Sequence, residues 1–175
     1  YILNSKDMCL IDHLKELGEA GIASLKIEGR MKSDYYVASV VNAYRRALDG
    51  FDDYDALHAE LEKTSHRRYT TGFYFGADNK EYLEDSMPVQ TYVFIAKVVE
   101  DARDGQVKVE MRNRFRVGDT LEVLSADDNF LKTVKIEKII NSKGEQIDDA
   151  KRVQEIVTIN CPYSLKAGDI LRTQP

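Results

Sequence analysis

A chain of 175 residues with 43% hydrophobic and 31% charged residues can bury one large or two small cores, and it has the composition of a soluble globular protein. Its net charge of −5 excludes RNA binding through bulk positive charge, and no apolar run approaches the roughly 20 residues that a membrane helix needs. Because it lacks an initiator methionine and starts directly in apolar residues, we expect it to be a piece of a longer protein.

The first half of the chain is predicted to form two strand–helix units and a third helix. Residues 1–3 form the first predicted strand, and Asn4 or Ser5 caps the first predicted helix, which ends near Gly18 and Gly21. Its apolar face carries Met8, Ile11, Leu14 and Leu17.

The second predicted strand, residues 24–28, alternates Leu25 and Ile27 with charged residues. The next helix is capped by Ser33 and runs to about residue 49, and a third helix is predicted from about residue 54 to 65. The side chains that the second helix is predicted to bury are Tyr36, Val37, Val40, Val41, Tyr44 and Leu48.

Four charged residues surround the end of the second predicted strand. Lys26 and Glu28 lie inside it on one face, and Arg30 and Lys32 follow in the loop. Since ligands bind at the carboxyl ends of strands in α/β folds, we take these residues as candidates for substrate binding. A structural ion pair between Lys26 and Glu28, or salt bridges on a solvated loop, would explain the same residues.

The histidines and cysteines add one candidate. His13 and His58 have polar neighbours and are read as surface residues, whereas His66 follows the third predicted helix, where the helix dipole alone favours a histidine. Cys9 and Cys161 lack CxxC spacing and cannot by themselves hold a metal, so we expect two free buried thiols. The sequence also contains no GxSxG, HExxH, Walker A or GxGxxG motif.

The second half changes to short β-rich runs after a polar, acidic stretch at residues 77–87, which we read as a linker. Strands are predicted at residues 91–100, 106–112, 120–125, 131–140, 155–160 and 170–173. Residues 117–121 recur loosely as residues 167–171, each with a Gly-Asp turn before a strand, which favours a small closed six-stranded barrel. A local patch for nucleic acid is offered by the arginines around Phe115: Arg112, Arg114 and Arg116.

Three stretches in fixed order carry a family resemblance. They read YILNSKD at residues 1–7, SLKIEGRMKSDYY at residues 24–36 and SHRRYTTGFYFG at residues 65–76. Together they resemble the C-terminal part of the collagenase-like proteins of peptidase family U32. The branch that they are most similar to is the one implicated in tRNA hydroxylation.

The resemblance implies a fold and a set of roles. Residues 1–76 would be the last βα units of a (β/α)8 TIM barrel, and residues 88–175 a small antiparallel β-barrel similar to the second domain of elongation factors. The Ser-His-Arg pattern makes His66 and Arg67 candidates for contacting a substrate phosphate or for locking the chain between domains. For the full-length protein it implies a cytoplasmic enzyme, iron–sulfur dependent and prephenate linked, that hydroxylates the wobble uridine of tRNA.

The resemblance leaves two alternatives, a collagenase-like peptidase and a non-enzymatic RNA- or substrate-binding β-barrel. It places the cluster cysteines upstream, so we expect this chain to hold no cofactor or metal and to be inactive alone. The expected partners are the upstream part of the same polypeptide and, for the full-length protein, tRNA, with no membrane partner. Unpaired strand edges predict that this chain self-associates through residues 1–50, and residues 88–175 are expected to fold independently.

Overall fold

The computed structural model describes residues 4–76 and 87–175, and contacts divide the chain into a first unit, residues 1–91, and a second unit, residues 92–175. This boundary lies within a few residues of the predicted one. The predicted strand at residues 1–3 and nearly all of the predicted linker fall outside the described residues. No helix in the described ranges is long and apolar enough to cross a bilayer.

The first unit packs helices around a short parallel strand pair. Its described elements are β1 (Asp7–Met8), a 3-10 turn (Ile11–His13), α1 (Leu14–Glu19), α2 (Asp34–Leu48), α3 (Tyr54–Glu62) and β2 (Tyr69–Thr70). Strand β1 pairs in parallel with β2. The buried side chains of its core are Ile11, Leu14, Val40, Ala43, Leu57 and Leu61. This arrangement is of the α/β type, and the complete (β/α)8 barrel stays a prediction.

Helix α2 forms where the sequence places it. The Ser33 hydroxyl accepts a hydrogen bond from the Tyr36 N–H at 3.2 Å, which satisfies one of the free donors of the first turn. The predicted buried face is only partly right, because Val41 and Leu48 are 45% and 50% exposed. The helix is rotated toward α3, so that the Tyr35 hydroxyl, which is buried, donates to the Lys63 carbonyl at 3.2 Å.

The first predicted helix begins later than expected. Met8 lies in β1, because the backbone N–H groups of Asp7 and Cys9 donate to the carbonyls of Arg68 and Thr70 at 3.0 and 2.9 Å. Strand pairing therefore replaces the first predicted helical turns, and the helix proper starts at Leu14.

The second predicted strand does not form. Residues 24–28 have no ladder partner among the described residues and run as an irregular segment. Alternating hydrophobicity selects an extended chain, but a strand also needs a neighbouring backbone to bond with. The prediction of a strand there is wrong for this structure, although residues of the segment line the same cavity as β1.

The second unit is a curled antiparallel sheet. Its described strands are β3 (Val93–Val98), β4 (Gln106–Met111), β5 (Phe115–Arg116), β6 (Thr120–Leu124), β7 (Thr133–Lys135), β8 (Ile139–Ile140), β9 (Gln146–Ile147), β10 (Asp149–Ala150), β11 (Ile156–Asn160) and β12 (Ile170–Thr173). Eight of them form one sheet in the order β7-β6-β12-β3-β4-β11-β8-β9, and β5 pairs with β10. Their inward side chains share one core.

Each of the six predicted runs contains a strand, but the predicted closed six-stranded barrel is not what forms. No ladder joins β7 to β9 in the part of the chain that the structure describes, so the sheet is a half-barrel. The predicted run at residues 131–140 splits, because Asn160 Oδ1 accepts from the N–H groups of Glu137 and Lys138 at 2.7 and 3.1 Å. The Asn160 side chain thus takes the place of a neighbouring strand as the hydrogen-bond acceptor for Glu137 and Lys138.

The predicted sequence repeat is a structural repeat. Gly118 and Gly168 both have positive φ, 99° and 102°, which glycine adopts without strain. Asp119 and Asp169 each accept a hydrogen bond from the N–H three residues earlier, at 2.7 and 2.8 Å. The same turn therefore precedes β6 and β12, which lie side by side in the sheet.

Candidate substrate-binding site

A cavity of about 620 Å³ opens in the first unit beside β1 and the irregular segment. Four predicted cations line it together: Lys26, Arg30, Lys32 and Arg67. Glu28 lines it as well, and Tyr36, Tyr44 and Tyr69 contribute aromatic walls. The sequence therefore identified most of the charged lining, even though the strand that was to present it is absent.

Arg67 is the most firmly held of these cations. Its Nε donates to Asp7 Oδ1 at 2.9 Å, its backbone N–H donates to Asp7 Oδ2 at 3.0 Å, and its Nη1 donates to the Ser5 hydroxyl at 2.9 Å. The backbone and the side chain of Arg67 thus each bind one oxygen of the Asp7 carboxylate, and we call this pair the clamp. This clamp ties β1 to the loop before β2 and fixes one wall of the cavity.

Lys32 faces the same wall. Its Nζ donates to the Ser65 carbonyl at 2.9 Å, lies 3.9 Å from Asp7 Oδ2 and sits 4.9 Å from the centre of the Tyr36 ring. Lys32 therefore connects the irregular segment to the chain before His66. Asp7 and Ser5, which complete this group, were not identified from the sequence, because they precede the segment that carries the charge cluster.

Lys26 and Glu28 form an ion pair at 3.5 Å with side chains that are 84% and 67% exposed. The N–H of Arg30 donates to Glu28 Oε1 at 3.0 Å, and this bond, reinforced by Lys26, lowers the pKa of the Glu28 carboxyl. The prediction placed this pair inside a barrel mouth. Here it lies at the solvent edge of the cavity, as the solvated salt-bridge interpretation expects.

His66 does not line the cavity. Its ring is 2% exposed, stacks on Tyr69 with centres 4.1 Å apart, and its Nδ1 donates to the Arg67 carbonyl at 2.6 Å. Its backbone pairs with Val89 through bonds of 3.1 and 2.8 Å. The position of His66 thus favours the locking role over contact with a substrate phosphate.

The stability of the first unit is expected to fall with pH below about 6.5. Burial lowers the pKa of His66 from 6.5, because Nε2 has no partner in the described structure and its protonation would bury an unpaired N–H. The unfolded chain then binds a proton that the folded chain does not. The contribution of neutral His66 to the unfolding free energy is fully present above pH 6.5. It is lost as the pH falls from 6.5 toward the lowered pKa of His66 in the folded chain.

Urea unfolding of the wild-type chain and of His66→Phe from pH 7 to 5 measures this contribution. The variant keeps an aromatic ring beside Tyr69 but cannot titrate, so its unfolding free energy should decline less over this range. Identical pH slopes for the two chains would contradict the assignment.

The tyrosine walls of the cavity stay protonated. Burial raises the pKa of Tyr36, Tyr44 and Tyr69. The Tyr44 hydroxyl accepts from the Leu10 N–H at 3.1 Å and lies 3.5 Å from Cys9 Sγ. Helical spacing favours a core role for Tyr36 and Tyr44, so sequence analysis did not distinguish these walls from ordinary packing.

Neither cysteine suits an iron–sulfur cluster. Both are free thiols, as predicted, and burial raises the pKa of each, which opposes the thiolate that a metal needs. Within residues 4–76 and 87–175 no three Cys, His, Asp or Glu side chains are grouped to hold a metal ion. The described residues therefore do not fit such a cluster.

The arginine patch predicted in the second unit is neutralised. Arg112 pairs with Glu110 at 2.9 Å, and Arg114 is bonded through Nε to Asp149 at 2.9 Å. Phe115 is 1% exposed within the core and offers no face for a base. Strand alternation turns Phe115 inward and brings Asp149 of β10 opposite β5, so this surface offers RNA paired arginines and no aromatic face.

Comparison with known proteins links both units to one family. The family model for peptidase family U32 matches residues 1–84, and the model for the peptidase family U32 C-terminal domain matches residues 90–172. A crystal structure of the C-terminal domain of a U32 protein from Geobacillus thermoleovorans is 28% identical, covers 46% of this chain and 99% of that domain, and has a TM-score of 0.43.

Several relatives match nearly the whole chain, and two of them illustrate the range of names. The tRNA hydroxylation protein P of Haemophilus influenzae is 35% identical over 94% of this chain and 37% of its own length. An uncharacterized protease of Methanocaldococcus jannaschii is 33% identical over 97% of this chain and 44% of its own length. The chain thus spans about two fifths of the length of these relatives.

Proposed function

The chain belongs to peptidase family U32, and on this basis we propose that the full-length protein acts in the cytoplasm in tRNA hydroxylation, with the cavity of the first unit receiving the nucleotide. The observation that carries the proposal is the concentration of Lys and Arg on one cavity. The first unit has 11 Lys and Arg against 16 Asp and Glu, yet four cations and two carboxylates line the cavity. Although Asp7 and Glu28 pair with three of these cations, the lining keeps two more cations than carboxylates within an acidic unit, and this positive excess suits a phosphate-bearing substrate.

Different residues of the cavity would contact the phosphate, contact the base and hold the cavity wall in place. Arg30 has no ion pair among the described residues and lies on the lining with Lys26, so both can approach a phosphate from solvent. The Tyr36 hydroxyl has no partner among the described residues and, being protonated, can donate a hydrogen bond to a uracil carbonyl. Arg67 and Lys32 keep the wall rigid through Asp7.

The finer features implied by the family remain part of the proposal. Hydroxylation at the wobble uridine, its link to prephenate and its dependence on an iron–sulfur cluster are proposed for the full-length protein. The described residues of this chain do not fit the cluster, so its ligands would come from elsewhere in the polypeptide. Inactivity of this chain alone, and its self-association through residues 1–50, stay predictions.

Proteolysis is the weaker alternative. The name of the archaeal relative favours it, but the described residues offer neither a metal group nor an activated nucleophile. Cys9 has a raised pKa and a tyrosine hydroxyl beside it rather than a base. The β-barrel as an RNA-binding module is disfavoured by the neutralised arginine patch.

Arg30→Ala in the full-length protein is expected to lower the rate of tRNA hydroxylation about tenfold, the loss of one charge-assisted contact of about 1.4 kcal/mol. The matched control is Lys15→Ala, an 89% exposed cation of the same unit outside the cavity lining, which should act like wild type. Mass spectrometry of digested tRNA from a deletion strain carrying each variant measures the product. Unchanged hydroxylation without the protein would refute the function, and equal rates for both variants would refute the site.

A further inference from the structure

We infer that the chain between Gly72 and Gly76 is a stacking platform for unpaired RNA bases at the edge of the cavity, an inference that rests on the proposed function. Phe73, Tyr74 and Phe75 are consecutive and are 79%, 60% and 59% exposed. Hydrophobic side chains exposed singly are ordinary, whereas three consecutive exposed aromatic residues concentrate apolar area at one turn, as interaction surfaces do.

The platform is held in place by its flanks. Gly72 and Gly76 take positive φ values of 65° and 111°, so the chain turns sharply on both sides of the aromatic run. The Gly72 N–H donates to the Thr70 hydroxyl at 3.2 Å, which anchors the turn to the end of β2. The centre of the Phe75 ring lies 4.2 Å from that of the His13 ring, with the two rings tilted by 36°, so Phe75 packs against the 3-10 turn.

Packing under the turn restricts it further. A Cβ on Gly72 would stand 3.1 Å from Met8 Sδ, which shows how closely the turn approaches β1. A rigid aromatic surface loses little conformational entropy when a ligand stacks on it. The turn that carries the rings is therefore held against β1 before a ligand binds.

Tyr74 joins the platform to the cavity, since it belongs to the lining that also carries Arg30 and Lys26. Bases stacked on the rings would leave their phosphates near these cations, and single-stranded nucleic acid is bound by this combination of aromatic and basic groups. An enzyme that modifies a base must take it out of its stack. The cavity volume of about 620 Å³ falls within the usual range for small-ligand sites.

A purely apolar partner, such as another polypeptide, would need the rings but not the cations beside them. The RNA assignment is favoured because four of the 11 Lys and Arg of the acidic first unit line the cavity that the platform borders, against two carboxylates. Binding should accordingly weaken with salt as well as with loss of the rings.

The test uses the full-length protein and a fluorescent anticodon stem–loop RNA, with binding followed by anisotropy. Phe73→Ala and Phe75→Ala are each expected to weaken binding about 5- to 150-fold, the range for loss of one base–aromatic stack. Phe73→Leu keeps apolar bulk without a ring face and should weaken binding nearly as much as Phe73→Ala. The control is Val153→Ala, a 68% exposed apolar residue of the second unit, which should bind like wild type.

Retention of wild-type binding by Phe73→Leu or by both alanine variants would overturn the platform. So would a large fall in the melting temperature of the full-length variants, which would mean that the rings are buried in the fold. If the alanine variants hydroxylate tRNA and bind RNA as wild type does, the platform fails and the function stands. If wild type fails to hydroxylate but binds RNA through the rings, the function fails and the platform stands.

Discussion

Replacing Glu122 by alanine is expected to lower the free energy of unfolding of the second unit by about 3–5 kcal/mol. Arg172 is fully buried, and its Nε and Nη2 reach Glu122 Oε1 at 2.9 and 2.7 Å. The Tyr92 hydroxyl donates to the other carboxylate oxygen at 3.3 Å, and the Arg172 guanidinium lies 5.6 Å from the Tyr92 ring centre. Removing the carboxylate takes one partner away from a buried guanidinium, which is the costly way to disrupt a buried ion pair.

Urea titration followed by amide resonances of the second unit measures this loss. The control is Glu100→Ala, which removes a partner of Lys108 at 3.0 Å whose side chains are 61% and 50% exposed. That variant should differ from wild type by less than about 1 kcal/mol. Equal stabilities for the two alanine variants would mean that solvent reaches Arg172.

Leu57→Ala is expected to cost the first unit about 2–5 kcal/mol of stability, since Leu57 is fully buried between the helices and its removal leaves a cavity. Leu48→Ala is the matched substitution, and it should change stability by no more than about 0.5 kcal/mol because Leu48 is 50% exposed. All described helices belong to the first unit, so the helical circular dichroism of the chain during urea unfolding reports on it. Comparable losses for both leucines would show that α2 buries its predicted face after all.

Local sequence rules predicted the elements that are long or capped. Helix α2 was located by its Ser33 cap and apolar spacing, and β12 by the repeated Gly-Asp turn before it. The missed strands β5, β9 and β10 have two residues each, too few for any period to be recognised. The strand prediction at residues 24–28 failed although the sequence pattern there is clear. Strand pairing depends on residues elsewhere in the fold, which a local pattern does not report.

The candidate site was half predictable. Lys26, Arg30 and Lys32 could be found because they are close in sequence. Asp7 is brought to Arg67 across 60 residues, and no local pattern signals such a pairing. Tyr44 was assigned to packing because helical spacing does not distinguish a side chain that faces a core from one that faces a cavity.

The repeated Gly-Asp turn gives the second unit a local twofold axis. Strands β6 and β12 pair antiparallel with Arg172 opposite Glu122, Leu171 opposite Val123 and Ile170 opposite Leu124. In the repeat the residue equivalent to Glu122 is Arg172, so the axis passes through this ion pair. Two identical copies of either half would set arginine against arginine or glutamate against glutamate at a buried position. The difference at this one position therefore makes the two repeats complementary. A sheet built from two copies of the same repeat would lack the buried ion pair.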